Sequence, residues 1–586
     1  MLTVGQSTDA VEAQLVALGA KPRRLAPSEV SRYSTRDFVA GWRFDVGFTD
    51  AVRRVDILLP AAFPFGLPRL ALVDRPPFLS WPHVERDGVL CLPKGTIDHA
   101  DPGKVVLHFL QDAVTLVEEI LAGDRDGDFA DEFLTYWSYD VVELGTPIYS
   151  LLHLEPPSRL VRLWRGRRFR LIADEDDAIK SWLDNRYGEA KARPTEEAAL
   201  IWLDEPITPA EFPRTAAHLR GLASQAGAEE SLASLALRGI HDAAVFLASK
   251  TDRGPAIVGT WVPKPEESGP NALTRGFRPG KMDGRVLFDR YFGGTSIKRY
   301  NVERADASWI HGRGTDPRFS HLRNSAVAIL GCGSIGAAVA CALAAAGVGR
   351  LILIDPDMLT WSNVGRHPLG AEWVGMRKAT ALASKLKRDF PHIEITSYVA
   401  TVEDLLINKP EIFDELALAV LATGEWDAEA MFDAQRQAKG WTFPCVYGWT
   451  EAHACAGHSV AITYGSTPFA AGFDNTGLPL LRVAEWPDPT EEREPACGAV
   501  YQPYGPVELG FIVNMIAELA LECVLGGVTA SELRVWACRK AFLDQTKGRW
   551  TKAWREVVGD ALGGGMIVSR PWGTPVHLAA KRDVAA

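Results

Sequence analysis

The stretch Ala326–Asp357, AVAILGCGSIGAAVACALAAAGVGRLILIDPD, decides the fold. Its first five residues read as a buried strand that runs directly into Gly331-x-Gly333-x-x-Gly336. A helix of small residues follows, and then a second apolar strand, 351–354, that ends at Asp355. Glycines permit the tight turn and let main chain approach a phosphate closely. The helix start offers unpaired N–H groups, and an acid at the end of the second strand suits ribose hydroxyls. The pattern predicts a Rossmann-like unit that binds an adenine nucleotide through Gly331, Gly333, Gly336 and Asp355.

The residues after Asp355 choose between nucleotides. Asn363, Arg366 and Lys378 lie within a short span, the last on a helix. An amide and two cations beside a phosphate loop suit a triphosphate whose developing charge must be neutralised, more than a hydride carrier. ATP is favoured over NAD.

On these motifs, G-x-G-x-x-G, D-x-D, N-x-x-R and G-x-x-K in that order over about 311–525, the chain resembles the adenylation domain of the ubiquitin-activating/ThiF superfamily. The resemblance implies ATP with Mg²⁺, and attack of a protein's C-terminal carboxylate on the α-phosphate to leave an acyl-adenylate. It assigns ribose to Asp355, phosphate or carboxylate contacts to Asn363, Arg366 and Lys378, and an arginine on the phosphates to Arg313. Gly424, in LATGEWDAEA, stands where the family has its magnesium aspartate. The metal ligand therefore stays open between Asp357, Glu425, Asp427 and the phosphates themselves.

Two cysteines are candidate nucleophiles. Cys497 lies in a Pro/Gly-rich loop that leads into an apolar helix, and a thiolate near a helix start gains from the dipole. The family places its thioester cysteine in such a crossover loop. Cys332 and Cys341 read as packing, and AHACAGH, 452–458, as a strand whose faces split its two histidines and its cysteine rather than as a zinc site.

Upstream, Cys91 is the only cysteine before residue 332. It sits in WPHVERDGVLCLP, 81–93, after two predicted antiparallel strands (41–48 and 53–60) and a proline-punctuated segment. A helix over 104–123 follows, with Val106, Leu110, Val114, Val117 and Leu121 as its apolar stripe. Residues 30–140 resemble a ubiquitin-conjugating domain. The segment matches that family's H-P-N…G-x-x-C pattern, with Trp81 and His83 in place of the first His and of the Asn. The resemblance makes Cys91 the acyl acceptor and His83 the hydrogen-bond donor at its oxyanion.

The whole chain then reads as α/β. It comprises a ubiquitin-conjugating-like α+β domain over 1–145, a connecting α/β domain over 146–300, and a Rossmann-like adenylation domain over 301–586. In the connecting region 198–206, 244–249 and 255–263 read as strands and 208–223 as a capped turn and helix, while RLVRLWRGRRFR, 159–170, reads as a strand plus a solvated basic face. A conjugating domain ahead of an activating one is the layout of the bacterial two-in-one ligases of CBASS anti-phage operons. That resemblance implies transfer from adenylate to Cys497, then to Cys91, then to a target amine. It also implies a cGAS-like nucleotidyltransferase C-terminus as cargo and a homodimer formed through the adenylation domain. Eight cysteines without a C-x-x-C pair, a net charge of −11 and the absence of an apolar run near eighteen residues predict a cytoplasmic protein with neither nucleic-acid nor membrane partners. Two other readings stay open: an adenylyltransferase for a sulfur-carrier protein, and a non-catalytic nucleotide-sensing scaffold.

Overall fold

The computed structural model describes residues 4–33, 36–93, 100–139, 141, 145–188, 194–238, 242–264, 273, 275–278, 281–493, 500–502, 504–559 and 563–574. The chain divides into two compact units, one comprising Met1–Glu175 and Pro194–Arg304, the other Asp176–Arg193 and Ala305–Ala586.

The first unit begins with α1 (Val4–Ala17) and a sheet built on β1 (Phe38–Gly47) and β2 (Val52–Pro60), paired antiparallel. β3 (Arg69–Leu72) adds to β2, and Arg23–Arg24 to the far edge of β1. Period-two alternation sends Val55, Ile57 and Leu59 into one core while Leu58 points to a small cluster with Leu25 and Tyr33 on the opposite face. The core is closed by α2 (Pro102–Ala122). It starts at Asp101, whose carboxylate accepts from Lys104 N–H at 3.1 Å, and stops at Gly123, φ 84°. The buried stripe of α2 is Val106, Phe109, Ala113, Val117 and Ile120. Val106 and Val117 of the stripe read from the sequence are fully buried, and Leu110 and Leu121 pack against the same core from its margin. Phe109 and Ala113 join them, and Val114 is half-buried.

The same unit contains a mixed eight-stranded sheet. Its order is Lys298–Asn301, Gly254–Val262, Ala243–Thr251, Glu196–Leu203, Arg159–Arg165, Arg170–Ala173, Ile148–Ser150 and Glu303–Arg304. Thr215 caps the helix Ala216–Gln225, as its sequence context predicts. Residues 159–165 form the expected strand and Arg167 and Arg168 are exposed in the turn after it, while the strand that begins at Arg170 pairs back antiparallel. The guanidinium groups of Arg165 and Arg170 lie over the Trp261 ring at 4.4 and 4.7 Å, since an arginine can cover an aromatic face. The short helix α3 (Phe133–Ser138) buries Phe133, Tyr136 and Trp137 among side chains of this sheet and its helices, and the Trp137 indole N–H donates to Tyr300 O at 3.0 Å.

The second unit is built on β4 (Ala326–Leu330), α4 (Ser334–Ala346), β5 (Arg350–Ile354), α5 (Lys378–Asp389), β6 (Glu394–Tyr398), β7 (Leu418–Leu421), α6 (Trp426–Lys439) and β8 (Cys445–Thr450). Then come β9 (Ala456–Ile462), α7 (Pro506–Val524), β10 (Glu532–Arg539) and β11 (Gly564–Pro571). The sheet order is β6-β5-β4-β7-β8-β9-β10-β11: the first five strands are parallel and the last three antiparallel. Parallel strands covered on both faces must be apolar throughout, and Val327 to Leu330 and Leu418 to Leu421 are fully buried. The chain leaves β4 toward β5 and β6 on one side and returns to β7 on the other. A crevice therefore opens between the carboxyl ends of β4 and β7. The helix Asp176–Tyr187 belongs to this unit, with Asn185 Nδ2 donating to Pro391 O at 2.8 Å. Among the described residues no helix is long and apolar enough to cross a membrane.

Candidate active sites

Gly331 lies in that crevice. Its φ is 89°, and a side chain there would put Cβ 2.6 Å from Ala422 O and 2.8 Å from Thr423 N, both just beyond β7. Gly336, on α4, would place a Cβ 1.9 Å from Gly331 O. These two glycines thus make the loop possible. Gly333 is different: it precedes the first turn of α4, that helix has no side-chain cap, and a Cβ on Gly333 would meet nothing within 4 Å. Uncapped N–H groups facing open space are what a phosphate chain requires, so this cradle fits ATP.

Asp355 holds the loop from below. Its Oδ2 accepts from Cys332 N at 2.7 Å and its Oδ1 from Asp357 N at 2.8 Å. Burial raises its pKa, opposed by those N–H groups and by Lys378. Each carboxylate oxygen retains a lone pair, and the side chain sits at the end of β5 where ribose contact is expected. Lys378, at the start of α5, pairs with Asp357 at 2.9 Å. Asn363 Oδ1 accepts from the main-chain N–H and the hydroxyl of Thr360, each at 3.0 Å, shaping the turn that presents Arg366. Arg366 donates to Ser362 O at 2.9 Å, and its guanidinium lies 4.9 Å from the centre of the Tyr504 ring, whose hydroxyl is 2.8 Å from Ser334 Oγ. Asn363, Arg366 and Lys378 are therefore each fixed by a neighbour within the segment that follows the loop. Arg313, at φ 56°, stacks its guanidinium on Trp309 at 5.4 Å.

Two further residues of this site escaped the sequence reading. His367 donates from Nε2 to Cys332 O at 2.8 Å and accepts at Nδ1 from Leu369 N at 3.2 Å, which sets it as the neutral Nε2–H tautomer. Burial lowers its pKa in the same sense. Its position directly after Arg366 was the available signal. Glu429, in the first turn of α6, accepts from Thr423 N at 3.1 Å and Thr423 Oγ1 at 2.8 Å, and burial pushes its carboxyl up to about 7. It secures the turn around Gly424, φ 73°. Glu425 and Asp427 stand at the start of α6, and Asp357 is tied to Lys378. Among the described residues no group of three His, Cys, Asp or Glu side chains is arranged to hold a metal. In 452–458 the strand begins only at Ala456: His453 lies in a preceding turn, and His458 bonds Glu451 at 2.8 Å.

Cys332 is fully buried with its thiol pushed up by desolvation, as a packing residue should be, and Cys341 is shifted the same way. Cys497 lies outside the described residues. The apolar helix expected after its loop is α7.

In the first unit Cys91 is exposed. Its loop folds back on the sheet: Cys91 N–H donates to His83 O at 2.9 Å, and Gly88 O accepts from Leu72 N at 2.8 Å. Gly88 adopts φ 92°, and a Cβ there would fall 2.3 Å from Leu72 O, so the glycine of the G-x-x-C pattern is a steric necessity. His83 also has positive φ, 59°, and its N–H donates to the Tyr136 hydroxyl at 3.0 Å. The imidazole lies beside the Cys91 side chain, its Nε2 is 2.7 Å from Asp128 Oδ2, and Nδ1 is 3.7 Å from Glu132 Oε2. The Cys91 side chain, then Asp128 and Glu132, raise the histidine's pKa, while burial opposes them. Cys91, His83 and Asp128 thus lie together at this loop. The sequence singles out Cys91 and, as an oxyanion donor, His83. Asp128 is 45 residues beyond His83, and only the return of the chain through 124–132 brings it there.

Comparison with known proteins finds a family match for each of the two segments. Residues 312–550 match the ThiF family and residues 19–141 match Prokaryotic E2 family B. The chain is 30% identical over 382 residues to the ATP-dependent ubiquitin transferase-like protein Cap2 of Pseudomonas aeruginosa, covering 62% of this chain and 65% of the relative. It is 40% identical over 84 residues to the molybdopterin-synthase adenylyltransferase of Escherichia coli, covering 14% of this chain and 34% of that protein. The chain thus spans less than two thirds of the length of these relatives. A crystal structure of E. coli MccB overlaps 43% of this chain and 63% of its own at 16% identity, with a TM-score of 0.30, too loose for residues to be transferred. With the glycine loop at the switch point of its sheet, the segment 312–550 is an adenylating unit of the ThiF type.

Proposed function

We propose that this protein is an ATP-dependent protein ligase. A partner's C-terminal carboxylate attacks the α-phosphate of ATP over the Gly331–Gly336 loop. Pyrophosphate leaves and an acyl-adenylate remains. Uncapped N–H groups of α4 and the side chains of Arg366 and Lys378 hold the triphosphate, and ATP with Mg²⁺ supplies the leaving group. The Cys497 thiolate then displaces AMP to form a thioester, and the Cys91 thiolate takes the acyl group from Cys497. Last, a target amine attacks the Cys91 thioester: a C–N bond forms, the C–S bond breaks, and the amine proton passes to His83 with Asp128 steadying the imidazolium.

One observation supports this reading: an exposed cysteine beside a His–Asp pair stands in an E2-like segment on the same chain as an adenylating one. An enzyme that only adenylates has no use for it. We further propose, on the resemblance to two-in-one ligases, that the cargo is the C-terminus of a cGAS-like nucleotidyltransferase, that the role is anti-phage defence, and that the enzyme acts as a homodimer in the cytoplasm. The similarity to a molybdopterin-synthase adenylyltransferase favours a second reading, activation of a sulfur-carrier protein.

Incubation with ATP and a cargo protein, followed by non-reducing gels, separates the two. Ligation gives reductant-sensitive adducts that disappear separately in Cys497→Ala and Cys91→Ala, with Cys91→Ala still loading Cys497. Sulfur-carrier activation gives AMP without an adduct on either cysteine. Loss of pyrophosphate exchange in Cys91→Ala would refute the proposed order of transfer.

A further inference from the structure

The loop that carries His83 and Cys91 is held by two cores, not one. Trp81, Val84 and Leu90 pack in the core closed by α2, whereas Leu79 packs against the core of the eight-stranded sheet. Phe133, Tyr136 and Trp137 of α3 are buried in that second core as well, although α3 lies within the segment matched to Prokaryotic E2 family B. The sheet and its flanking turn grip α3 at several points. The Phe212 ring is centred 5.1 Å from that of Trp137 and 6.0 Å from that of Phe133. The Arg299 guanidinium lies over Trp137 and Phe212 at 5.1 and 5.2 Å, and the Trp137 indole N–H donates to Tyr300 O.

What this grip fixes is the position of His83. Its N–H donates to the Tyr136 hydroxyl at 3.0 Å, and its carbonyl accepts from Cys91 N–H at 2.9 Å. Both main-chain polar groups of the histidine are thus engaged, one by the sheet-bound helix and one by the nucleophile's own residue. Leu79 and His83 both have positive φ, 65° and 59°. Such a conformation is costly for residues with a Cβ and persists where the surroundings over-determine it. The packing of Leu79 and the bond to Tyr136 do so at the two ends of the segment. The hairpin turn between Ala243–Thr251 and Gly254–Val262 adds a charged contact: Arg253 Nη1 lies 3.4 Å from Glu132 Oε1, and Glu132 Oε2 lies 3.7 Å from His83 Nδ1. The remaining charged groups around the imidazole are Asp128 and, paired with it at 3.4 Å, Arg125.

We propose that the domain between the conjugating-like and adenylating segments is a working part of the Cys91 site: its sheet, acting through α3, holds residues 79–83 in the conformation that sets His83 beside Cys91, with Tyr136 and Leu79 as positioning residues. Domains joined by a linker move relative to one another unless an apolar interface fixes them, and here three aromatic side chains of α3 lie inside the neighbouring core. The inference rests on the ligase reading for what the placed imidazole does, which is to take the proton of the attacking amine.

Two assays on the full chain test it, each applied to Tyr136→Phe and to the sheet-side variants Arg299→Met and Phe212→Leu. The first is alkylation of Cys91 by iodoacetamide across pH, read by mass spectrometry of the peptide that contains it; it needs neither ATP nor cargo. The wild-type rate should carry an inflection from His83 that is absent in His83→Ala, and all three variants should flatten it, because the imidazole is no longer held beside the sulfur. The second is single-turnover discharge of the loaded Cys91 thioester to an amine. Tyr136→Phe should lower the maximal rate about fivefold to tenfold, the size expected for one lost hydrogen bond, and leave the half-saturating amine concentration unchanged. Melting temperatures are measured alongside: if the domain only supports the fold, the variants melt earlier and keep the wild-type alkylation profile. That outcome overturns the inference, as does a flattened profile in Tyr136→Phe with both sheet-side variants unchanged, or a wild-type profile without a His83 inflection. Flattened profiles in all three variants, with no ATP-dependent adduct on the wild-type chain, uphold the positioning and refute the ligase reading instead.

Discussion

The His83–Asp128 contact makes the sharpest prediction. Asp128→Asn replaces a charge-assisted bond of 2.7 Å with a neutral one while keeping size and shape. Bonds to a charged group contribute about 1.5–3 kcal/mol and neutral ones about half that. The Asp128 side chain is 22% exposed, so solvent screens part of the effect, and a loss of about 1–2 kcal/mol is expected. That corresponds to a lower His83 pKa and a five- to thirtyfold slower discharge of the Cys91 thioester to an amine at neutral pH. The assay is single-turnover: Cys91 is loaded, excess ATP is removed, amine is added, and decay of the adduct is followed on non-reducing gels across pH. The imidazole is titrated by proton NMR in parallel.

The sign of the stability effect is also determined. A histidine whose folded pKa is raised above the ordinary 6.5 contributes stability that is fully present below that value and is lost as pH rises through the folded pKa. Asp128→Asn should therefore lower the melting temperature most at pH 5–6, and wild type and variant should converge at alkaline pH. His83→Asn, which restores the amide of the ubiquitin-conjugating pattern, keeps a hydrogen-bond donor but not a base, so the discharge rate should lose its pH dependence near neutrality. A variant Asp128→Asn that discharges at the wild-type rate with an unshifted His83 titration would refute the assignment of Asp128.

The glycine loop separates folding from binding. Gly331→Ala should cost about 2 kcal/mol or more of stability through positive φ and a 2.6 Å clash, whereas Gly333→Ala, with open space around it, should melt as wild type and lose pyrophosphate exchange. Gly88→Ala should displace the Cys91 loop, since its Cβ would fall 2.3 Å from Leu72 O; thioester formation on Cys91 should vanish while loading of Cys497 persists. Acid stability should report the pair His311–His392, whose Nε2 atoms are 2.8 Å apart. Burial first, and then the charge of His311, holds the His392 pKa at about 4. His392 contributes stability above pH 6.5 that is lost as pH falls through 4, about 3 kcal/mol, and His392→Phe should flatten that part of a denaturation-versus-pH curve.

Local sequence pattern was enough to find the nucleotide unit. Strand, glycine loop, helix and acid are consecutive, and each follows from short-range geometry: positive φ at Gly331, an uncapped helix start, an apolar run covered on both faces. Cys91 and His83 were legible for the same reason, being eight residues apart in one loop closed by Gly88. What sequence could not supply is whatever depends on which distant surfaces meet. Asp128 reaches His83 only because the segment after α2 turns back over the loop. Phe109 and Ala113 join Val106 and Val117 in the buried stripe of α2 because the partner sheet decides which further side chains fit. That Arg165 and Arg170 cover Trp261 depends on strand order, which spacing along the chain does not reveal. Tertiary structure alone placed Leu79 and Tyr136 at the core of the eight-stranded sheet, since the packing of distant elements, not spacing along the chain, brings them there. Periodicity and turn chemistry act over a few residues and can be read from the letters, whereas desolvation and charge pairing depend on the folded neighbourhood.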